Sequence, residues 1–276
     1  MTAGVMQQVQ RLIRRRETIR FLTASGLQDL NRDKILGNLW SLLDPLLFMA
    51  VYYLIFGVLF EMAGAGRSGQ FMIYIFIGVV GFRFAEVSLG QSVTSIRGHR
   101  GLIHETNVPK AVFPVASVLA RFYDFLWGLL VLMIVMAATG HRPTLYILLL
   151  PVIILIYFVF VLGVSLIAAD IGVFFADASN LVTVIMRVLF YASPIFYFVR
   201  SRGGFKAMGA FNNPTVKTLY FLNPLAGFLE SLRDLLMWGT APSLRLVLYL
   251  TGVALVSLLV GLTLFSRREG QYAKYI

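Results

Sequence analysis

The chain has 276 residues, of which 58% are hydrophobic and 13% charged, and its formal net charge is +11. Soluble domains average roughly 45–50% apolar and 25% charged residues, so this composition indicates a polytopic membrane protein. The absence of cysteine excludes disulfides, zinc–thiolate sites and thiol nucleophiles. The positive charge is expected to meet anionic membrane lipids rather than nucleic acid, with an anionic substrate as the alternative.

The amino-terminal segment, residues 1–39, is basic. Within residues 5–35, three consecutive arginines lie among interleaved apolar side chains: Arg14, Arg15 and Arg16. This mixture predicts a helix lying in the membrane interface, and a basic cluster that only sets topology is the alternative.

Six apolar segments have the roughly 20 residues that a membrane-spanning helix needs. Their apolar runs are continuous rather than alternating, which favours helices over strands. The predicted fold is therefore all-α, one membrane domain over residues 1–276 with six transmembrane helices. The spans are residues 40–60, 71–93, 111–138, 144–169, 181–199 and 246–265.

Six spans place both termini on the same side of the membrane. Lysine and arginine are more frequent on that side, in residues 1–39, 94–110 and 266–276, than on the other. The positive-inside rule therefore predicts a multi-pass protein of the cytoplasmic membrane with both termini in the cytoplasm. Segment 170–180 falls on the same side although it has two acids and no basic residue, because acids carry little weight in this rule.

The connector 94–110 is polar, and Gly98 and Gly101 favour flexible joints at its ends. Leu102 and Ile103 are suited to anchor a short helix between these joints. A cytoplasmic connector of this length is able to dock a partner protein.

The outer segment 200–243 contains a strong helix start, with Asn223 as the N-cap and Pro224 at the first helical position. Apolar residues then recur at helical spacing, and Glu230, Arg233 and Asp234 occupy the opposite face. The pattern predicts an amphipathic helix that is too charged to span and enters the outer leaflet as a re-entrant element.

Charged residues inside spans are costly, by about 2.5–3.5 kcal/mol each on the lenient insertion scale. Two pairs stand three residues apart on one helix face, Arg83 with Glu86 and Arg121 with Asp124. They either neutralise each other and aid folding, or line a polar pathway or lock two spans together. Arg187 has no acid within one turn of its own helix.

Aromatic residues make up 14% of the chain. Most fit an interfacial belt. The alternative is a channel lining for sugars, because flat rings offer an apolar face and tyrosine hydroxyls exchange hydrogen bonds. The candidate lining residues are Tyr52, Tyr53, Phe56, Tyr191, Phe196 and Tyr197.

Motifs for catalysis and cofactor binding are absent from the sequence. It has no Gly-Lys dipeptide and therefore no phosphate-binding loop, so the chain cannot power ATP-driven transport alone. The three histidines are too few and scattered for a metal motif. No catalytic residue, cofactor or metal is expected, although an intramembrane transferase using the two charged pairs stays open.

Several short motifs, in order between the spans, resemble the membrane subunits of ABC-2 type exporters of lipid-linked polysaccharides such as O-antigen, capsule and wall teichoic acid. They are Gly37-Asn-Leu-Trp40 running into Asp44-Pro45, Gly101-Leu-Ile103 followed by Val108-Pro-Lys-Ala-Val-Phe-Pro114, Val173-Phe-Phe-Ala-Asp177, Ser193-Pro194 and Asn223-Pro-Leu225. The resemblance covers nearly the whole chain.

The resemblance implies a homodimer with a channel at its interface, lined by spans one and five. It implies two copies of a separate cytoplasmic ATPase, which would bind the ATP and Mg²⁺. The connector would be the coupling helix, through Gly101, Leu102, Ile103, His104 and Glu105, and the turn after span four would dock through Phe174, Phe175 and Asp177. The outer gate would include Asn223, Pro224 and Phe228.

The turn after span four departs from the family pattern at Ala176, where relatives often carry arginine. Docking would therefore depend more on the neighbouring phenylalanines. Asp170 and Asp177 would be solvated or meet the ATPase. The outer basic residues favour a phosphate-rich polymer such as teichoic acid; they are Arg200, Arg202, Lys206, Lys217 and Arg233. A drug or lipid exporter of the same family is the alternative.

Overall fold

The structure, a computed structural model, describes residues 2–31, 39–59, 68–105, 108–141 and 144–275. Over these ranges it is helical, and its only strand-like pairing is an isolated bridge between Arg202 and Phe205. The helices are α1 Thr2–Arg14, α2 Arg16–Asn31, α3 Leu39–Tyr52, α4 Ser68–Gly98, α5 Arg100–Glu105, α6 Val112–Ala138, α7 Leu150–Phe174, α8 Ala178–Tyr191, α9 Pro214–Tyr220, α10 Pro224–Leu236 and α11 Leu244–Arg268. The all-α prediction is confirmed.

Four short segments extend or join these helices. A π-helical segment, Tyr53–Leu59, continues α3, and a 3₁₀ turn, Leu145–Leu149, leads into α7. Two further 3₁₀ turns are Gly209–Asn212 and Glu269–Lys274.

Four helical stretches are long and apolar enough to cross a membrane, counting only the described ranges. They are Gly69–Gly98, Val112–Ala138, Leu145–Phe174 and Leu244–Tyr272, and they match predicted spans two, three, four and six. Predicted spans one and five correspond to shorter apolar helices, Leu46–Leu59 and Ala178–Tyr191. The total of six spans therefore stays a prediction.

Span five is shorter than predicted because its helix ends at Tyr191. At 1.5 Å per residue, its 14 residues extend about 21 Å, less than the roughly 30 Å of a hydrocarbon core. Ser193-Pro194 follows, and proline disfavours the helical conformation of the residue before it. Residues 192–199 continue as irregular backbone that is largely buried in the protein.

The main core lies between α4, α6, α7 and α11. A second apolar cluster lies at the end of the bundle that carries both termini, which we call the terminal end. It includes Ile96, Ile103, Phe113, Val173 and Tyr272.

Helices α7 and α11 approach each other closely at two glycines. A Cβ added to Gly163 would lie 2.4 Å from the amide nitrogen of Leu258, and one added to Gly261 would lie 2.7 Å from the Cβ of Leu166. Small residues at such crossings let helix backbones pack tightly inside membranes.

Replacing Gly163 by alanine should therefore separate α7 from α11. We expect G163A to lower the thermal unfolding midpoint of the detergent-solubilised protein, because overpacking costs about 1–3 kcal/mol. Gly252, also on α11, has no atom within 4 Å of an added Cβ, so G252A is the matched control and should not lower the midpoint. Equal midpoints for both variants would contradict this account of the packing.

Candidate functional site

Helix α5 lies in the predicted connector, at the terminal end. Ile103 is buried in the second apolar cluster, whereas Leu102 has 44% of its surface exposed and Gly101 is also exposed. The side chains of His104 and Glu105 lie outside the described residues. The short helix predicted in the connector is therefore present, with one apolar residue as its anchor and another presented outward.

The predicted loop after span four is reduced to a tight turn, because α7 continues to Phe174 and α8 begins at Ala178. A guanidinium nitrogen of Arg97 donates to the carbonyl of Val173 over 3.0 Å. This bond holds the end of α7 beside the segment that leads into α5. The connector and the turn consequently share the terminal end.

Asp170 is only 1% exposed, so the expectation that it is solvated or meets a partner is wrong. Its carboxylate accepts hydrogen bonds from Arg268 Nη1 at 2.9 Å and from the Tyr272 hydroxyl at 2.7 Å. Both partners lie in the carboxy-terminal tail. Asp170 therefore joins α7 to α11 within the chain.

The remaining residues of the turn divide between packing and exposure. Phe174 is half-buried, with its ring edge-on to that of Tyr275 at a centroid distance of 4.9 Å. Phe175 has 64% of its surface exposed, and Ala176 and Asp177 are exposed as well. Phe175 is therefore the apolar residue of this turn that is open to a partner.

The charged residues inside the spans connect neighbouring helices. Arg121 on α6 pairs with Asp124 at 2.7 Å, and its Nε donates to Gln91 of α4 over 2.7 Å. The Arg83 guanidinium lies over the ring of Phe48 on α3, 5.0 Å from its centroid. These contacts give Arg83 and Arg121 an observed role in helix packing.

Glu86 and Arg187 are the two other charged candidates inside the predicted spans. Glu86 is half-buried on α4, and Arg187 is exposed on α8. The structure does not place Arg187 with the Arg83 and Arg121 contacts.

Aromatic residues of α3, the π-helical segment and residues 190–197 form one cluster, which we call the aromatic cluster. Phe196 lies 4.5 Å from Tyr52 and 4.6 Å from Phe56 between ring centroids. Tyr191 is 68% exposed at its edge, and the Tyr197 hydroxyl donates to the Tyr191 carbonyl over 3.0 Å. The candidate lining residues from predicted spans one and five are thus brought together, with Tyr53 packed against the main core.

Helix α10 begins where predicted. The Asn223 side chain accepts from the amide of Leu225 at 3.1 Å and donates to the hydroxyl of Ser193 at 3.1 Å. Pro224 occupies the first turn. Phe228 is fully buried and stacks on Tyr157 of α7 at 4.6 Å, so it is a core residue in this structure.

Helix α10 is amphipathic, as predicted, but its charged face is not exposed. All residues from Leu225 to Leu236 are buried, including Glu230, Arg233 and Asp234. The charged face packs against the irregular backbone of residues 192–205 instead of water. Helical spacing separated the two faces correctly, but both are covered.

Arg233 organises a buried polar cluster with Glu230, Tyr74 and Ile195, which we call the Arg233 cluster. Its side chain is 0% exposed, and Nη1 donates to Glu230 at 2.9 Å. Its Nη2 donates to the carbonyl of Tyr74 at 3.2 Å and to that of Ile195 at 3.5 Å. The guanidinium also lies 3.5 Å from the ring centroid of Tyr74.

The Arg233 cluster donates hydrogen bonds to backbone carbonyls in the irregular segment, residues 192–199. The hydroxyl of Tyr74 donates to the carbonyl of Tyr197 over 2.6 Å, beside the bond from Arg233 to Ile195. Gly78 leaves room for this arrangement, since an added Cβ would lie 2.7 Å from Arg233 Nη2. Sequence reasoning missed Tyr74 and Gly78, because nothing near them in the chain signals a buried arginine.

Asp234 forms a second ion-pair group next to this cluster. Its carboxylate lies 2.5 Å from Arg202 Nη1 and 3.5 Å from Arg200 Nη1. Burial raises the pKa of Asp234 to about 6, and the two arginines limit that rise. The pairs tie the loop that follows span five to α10.

Removing the Arg233 side chain would leave Glu230 as an unpaired buried charge. We expect R233M to lower the free energy of unfolding by about 3–5 kcal/mol, read as a lower thermal midpoint in detergent. The exposed Arg245 of α11 provides the control, and R245M should change little. Adding E230Q to R233M should recover part of the loss; equal midpoints for R233M and R245M would refute this role of the cluster.

Helices of spanning length, buried ion pairs and an irregular buried segment together define a polytopic helical membrane protein with features typical of transporters. Residues 17–237 match the family described as ABC-2 type transporter. The chain therefore belongs to the ABC-2 type transporter family.

Curated relatives of similar length match most of the chain. The O-antigen export system permease protein RfbA of Myxococcus xanthus is 26% identical over 89% of this chain and 90% of its own. A protein of the same name from Klebsiella pneumoniae is 27% identical over 92% and 93%. The polysialic acid transport protein KpsM of Escherichia coli is 25% identical over 85% and 86%.

Proposed function

We propose that this chain is the membrane-spanning subunit of an ATP-driven exporter of a lipid-linked polysaccharide. The observation that carries the proposal is the near full-length similarity to permeases named for O-antigen export and polysialic acid transport, within the ABC-2 type transporter family. In this proposal the chain is a transport permease rather than an enzyme. A separate ATPase subunit binds the ATP and Mg²⁺, since the sequence has no phosphate-binding loop.

The terminal end is the surface we assign to the ATPase, and the positive-inside rule places it in the cytoplasm. Leu102 of α5 and Phe175 of the turn present exposed apolar side chains there. Apolar anchors of this kind, surrounded by polar groups, suit a protein–protein interface. Asp177 adds a negative charge beside them.

We assign the second copy of the chain to the faces of α3 and α8. Each is a short apolar helix with a row of exposed apolar side chains. The row includes Leu47 and Val51 on α3, Leu54 on the π-helical segment that continues α3, and Val184 and Val188 on α8. The aromatic cluster lies between these helices, so a pore at a two-fold interface would be lined by it. Two copies of the permease would then bind two ATPase subunits.

The polymer is better matched to the O-antigen and capsule class than to teichoic acid. Five outer basic residues favour a phosphate-rich polymer when the sequence is considered alone. Arg233 is buried against Glu230, and Arg200 and Arg202 pair with Asp234. Two carboxylates therefore offset part of that positive charge inside the chain, and the relatives' names give the stronger guide.

The export function is tested with the complex of this chain and its co-encoded ATPase. We expect no ATP hydrolysis by this chain alone and hydrolysis once the ATPase is added. Depletion of the chain should remove surface polysaccharide without altering drug sensitivity. Aspartate at Leu102 or Phe175 should leave membrane insertion intact and reduce polysaccharide export at least severalfold, because charge disrupts an apolar contact.

The control is L244D, which changes an even more exposed leucine at the start of α11, at the opposite end of that helix from the tail. Normal export by L102D and F175D would contradict the assignment of this surface. Changed drug sensitivity with normal surface polysaccharide would indicate a drug or lipid exporter instead.

The dimer is tested by cysteine crosslinking, for which the cysteine-free chain is a ready background. We expect L54C or V184C to give disulfide-linked dimers in native membranes under mild oxidation, because both positions lie on the proposed interface. The control is L248C, on an exposed face of α11, which should stay monomeric. Crosslinking at position 248 alone would place the interface elsewhere.

A further inference from the structure

We propose that a basic cavity beside α1 is a binding site for a phosphate-type oxyanion. The cavity, about 540 Å³ in volume, lies where the end of α1 faces the segment before α6 and the start of the carboxy-terminal tail. Its charged lining consists of Arg11, Arg14, Arg15, Lys110 and Glu269. None of these residues takes part in the aromatic cluster, the Arg233 cluster or the exposed pair Leu102 and Phe175.

The fold builds this cavity by pinning one side of α1 and leaving another open. Val9 and Leu12 pack against the second apolar cluster, which holds the helix on α11. Arg11 and Arg14 lie in the last turn of α1, where positive charge complements the helix dipole. Arg15 stands at the break before α2, with its amide bonded to the carbonyls of Arg11 and Leu12.

The carboxylate in the lining serves to hold the cavity walls together. Glu269 accepts a hydrogen bond from the Gln8 side chain at 3.1 Å and another from the backbone amide of Lys110. It thereby ties α1, the segment before α6 and the tail to one another. With one negative and four positive side chains, the cavity keeps a net positive charge at neutral pH.

The four cations are distinguished from their neighbours by the lack of a carboxylate partner. Within the ranges that the structure describes, no ion pair joins Arg11, Arg14, Arg15 or Lys110 to an acid. By contrast Arg16 and Arg20, on the next turns, both lie within 4 Å of Glu17. Clustered like charges are costly unless an anion offsets them.

The chemistry of the lining selects a phosphate group. Guanidinium forks bind phosphate oxygens through paired hydrogen bonds, and lysine adds a point charge. The volume lies within the roughly 300–1,000 Å³ of small-molecule sites, enough for a phosphate ester or diphosphate. Met6 and Ile13 of the same helix leave apolar side chains more than 60% exposed, as in helices that lie at a membrane surface. The phosphate is therefore either a lipid headgroup or a free anion at the interface.

The test uses the purified full-length chain in neutral detergent at low ionic strength, with two probes. Inorganic pyrophosphate is titrated calorimetrically, and bound phosphatidylglycerol is counted against phosphatidylcholine by native mass spectrometry. We expect binding of at least one phosphate probe. The double variant R11Q/R14Q should weaken it about tenfold or more, because two guanidinium groups that donate charged hydrogen bonds to the phosphate are removed.

The matched control is R16Q/R20Q, which removes the same charge from the same region outside the cavity and should stay within about twofold of the unmodified chain. K110Q changes a residue outside α1 and should also weaken binding. This variant therefore separates loss of the site from misfolding of α1. If the cavity variants R11Q/R14Q and K110Q lose only phosphatidylglycerol binding, the ligand is a lipid headgroup. If they lose only pyrophosphate binding, the ligand is a free anion. No binding of either probe, or equal binding by the cavity and control variants, overturns the proposal.

Discussion

The irregular segment that follows α8 depends on one buried guanidinium, that of Arg233. Residues 192–199 leave the helical conformation within a segment that is apolar enough to be membrane-embedded, so their carbonyls have no helical partners. Arg233 donates to the carbonyl of Ile195 and Tyr74 to that of Tyr197, and Glu230 offsets the arginine's charge. Without these donors, irregular backbone at this depth would carry unsatisfied polar groups that cost several kcal/mol each.

The same arrangement explains why α10 is covered on all sides. Its apolar face packs on α7 and α11, and its charged face receives the irregular segment. A helix of this kind is fixed by two different interactions, apolar packing and ion pairing, that act on opposite faces. The region around α10 is therefore an integral part of the fold rather than a surface hairpin resting on it.

Local signals predicted the elements well and their surroundings poorly. The Asn223-Pro224 cap, the long apolar runs of α4, α6, α7 and α11, and the short helix near Ile103 are all set by residues close in the chain. Ser193-Pro194 ended span five early, which a count of apolar residues does not detect. Hydropathy also gives no boundary for span five, whose helix is shorter than the bilayer requirement.

The burial of charged residues was beyond local reasoning because their partners are distant in sequence. Arg233 bonds the carbonyl of Tyr74, 159 positions away, and Asp170 bonds a side chain 98 positions later. Helical periodicity assigns such residues to a face but not to water or protein. The exposed residues of the terminal end, Leu102 and Phe175, were easier to find, since short apolar sequences in polar segments are visible without knowledge of the fold.

The pairing of Asp170 with the tail has a consequence for how the protein is made. Asp170 leaves the ribosome well before Arg268 and Tyr272, which are 98 and 102 positions further along. During that interval α7 carries a carboxylate whose final partners do not yet exist, at the edge of a helix that is otherwise highly apolar. Membrane insertion of α7 must therefore tolerate a solvated acid at its end, and the tail completes the terminal end only when α11 has been inserted beside it.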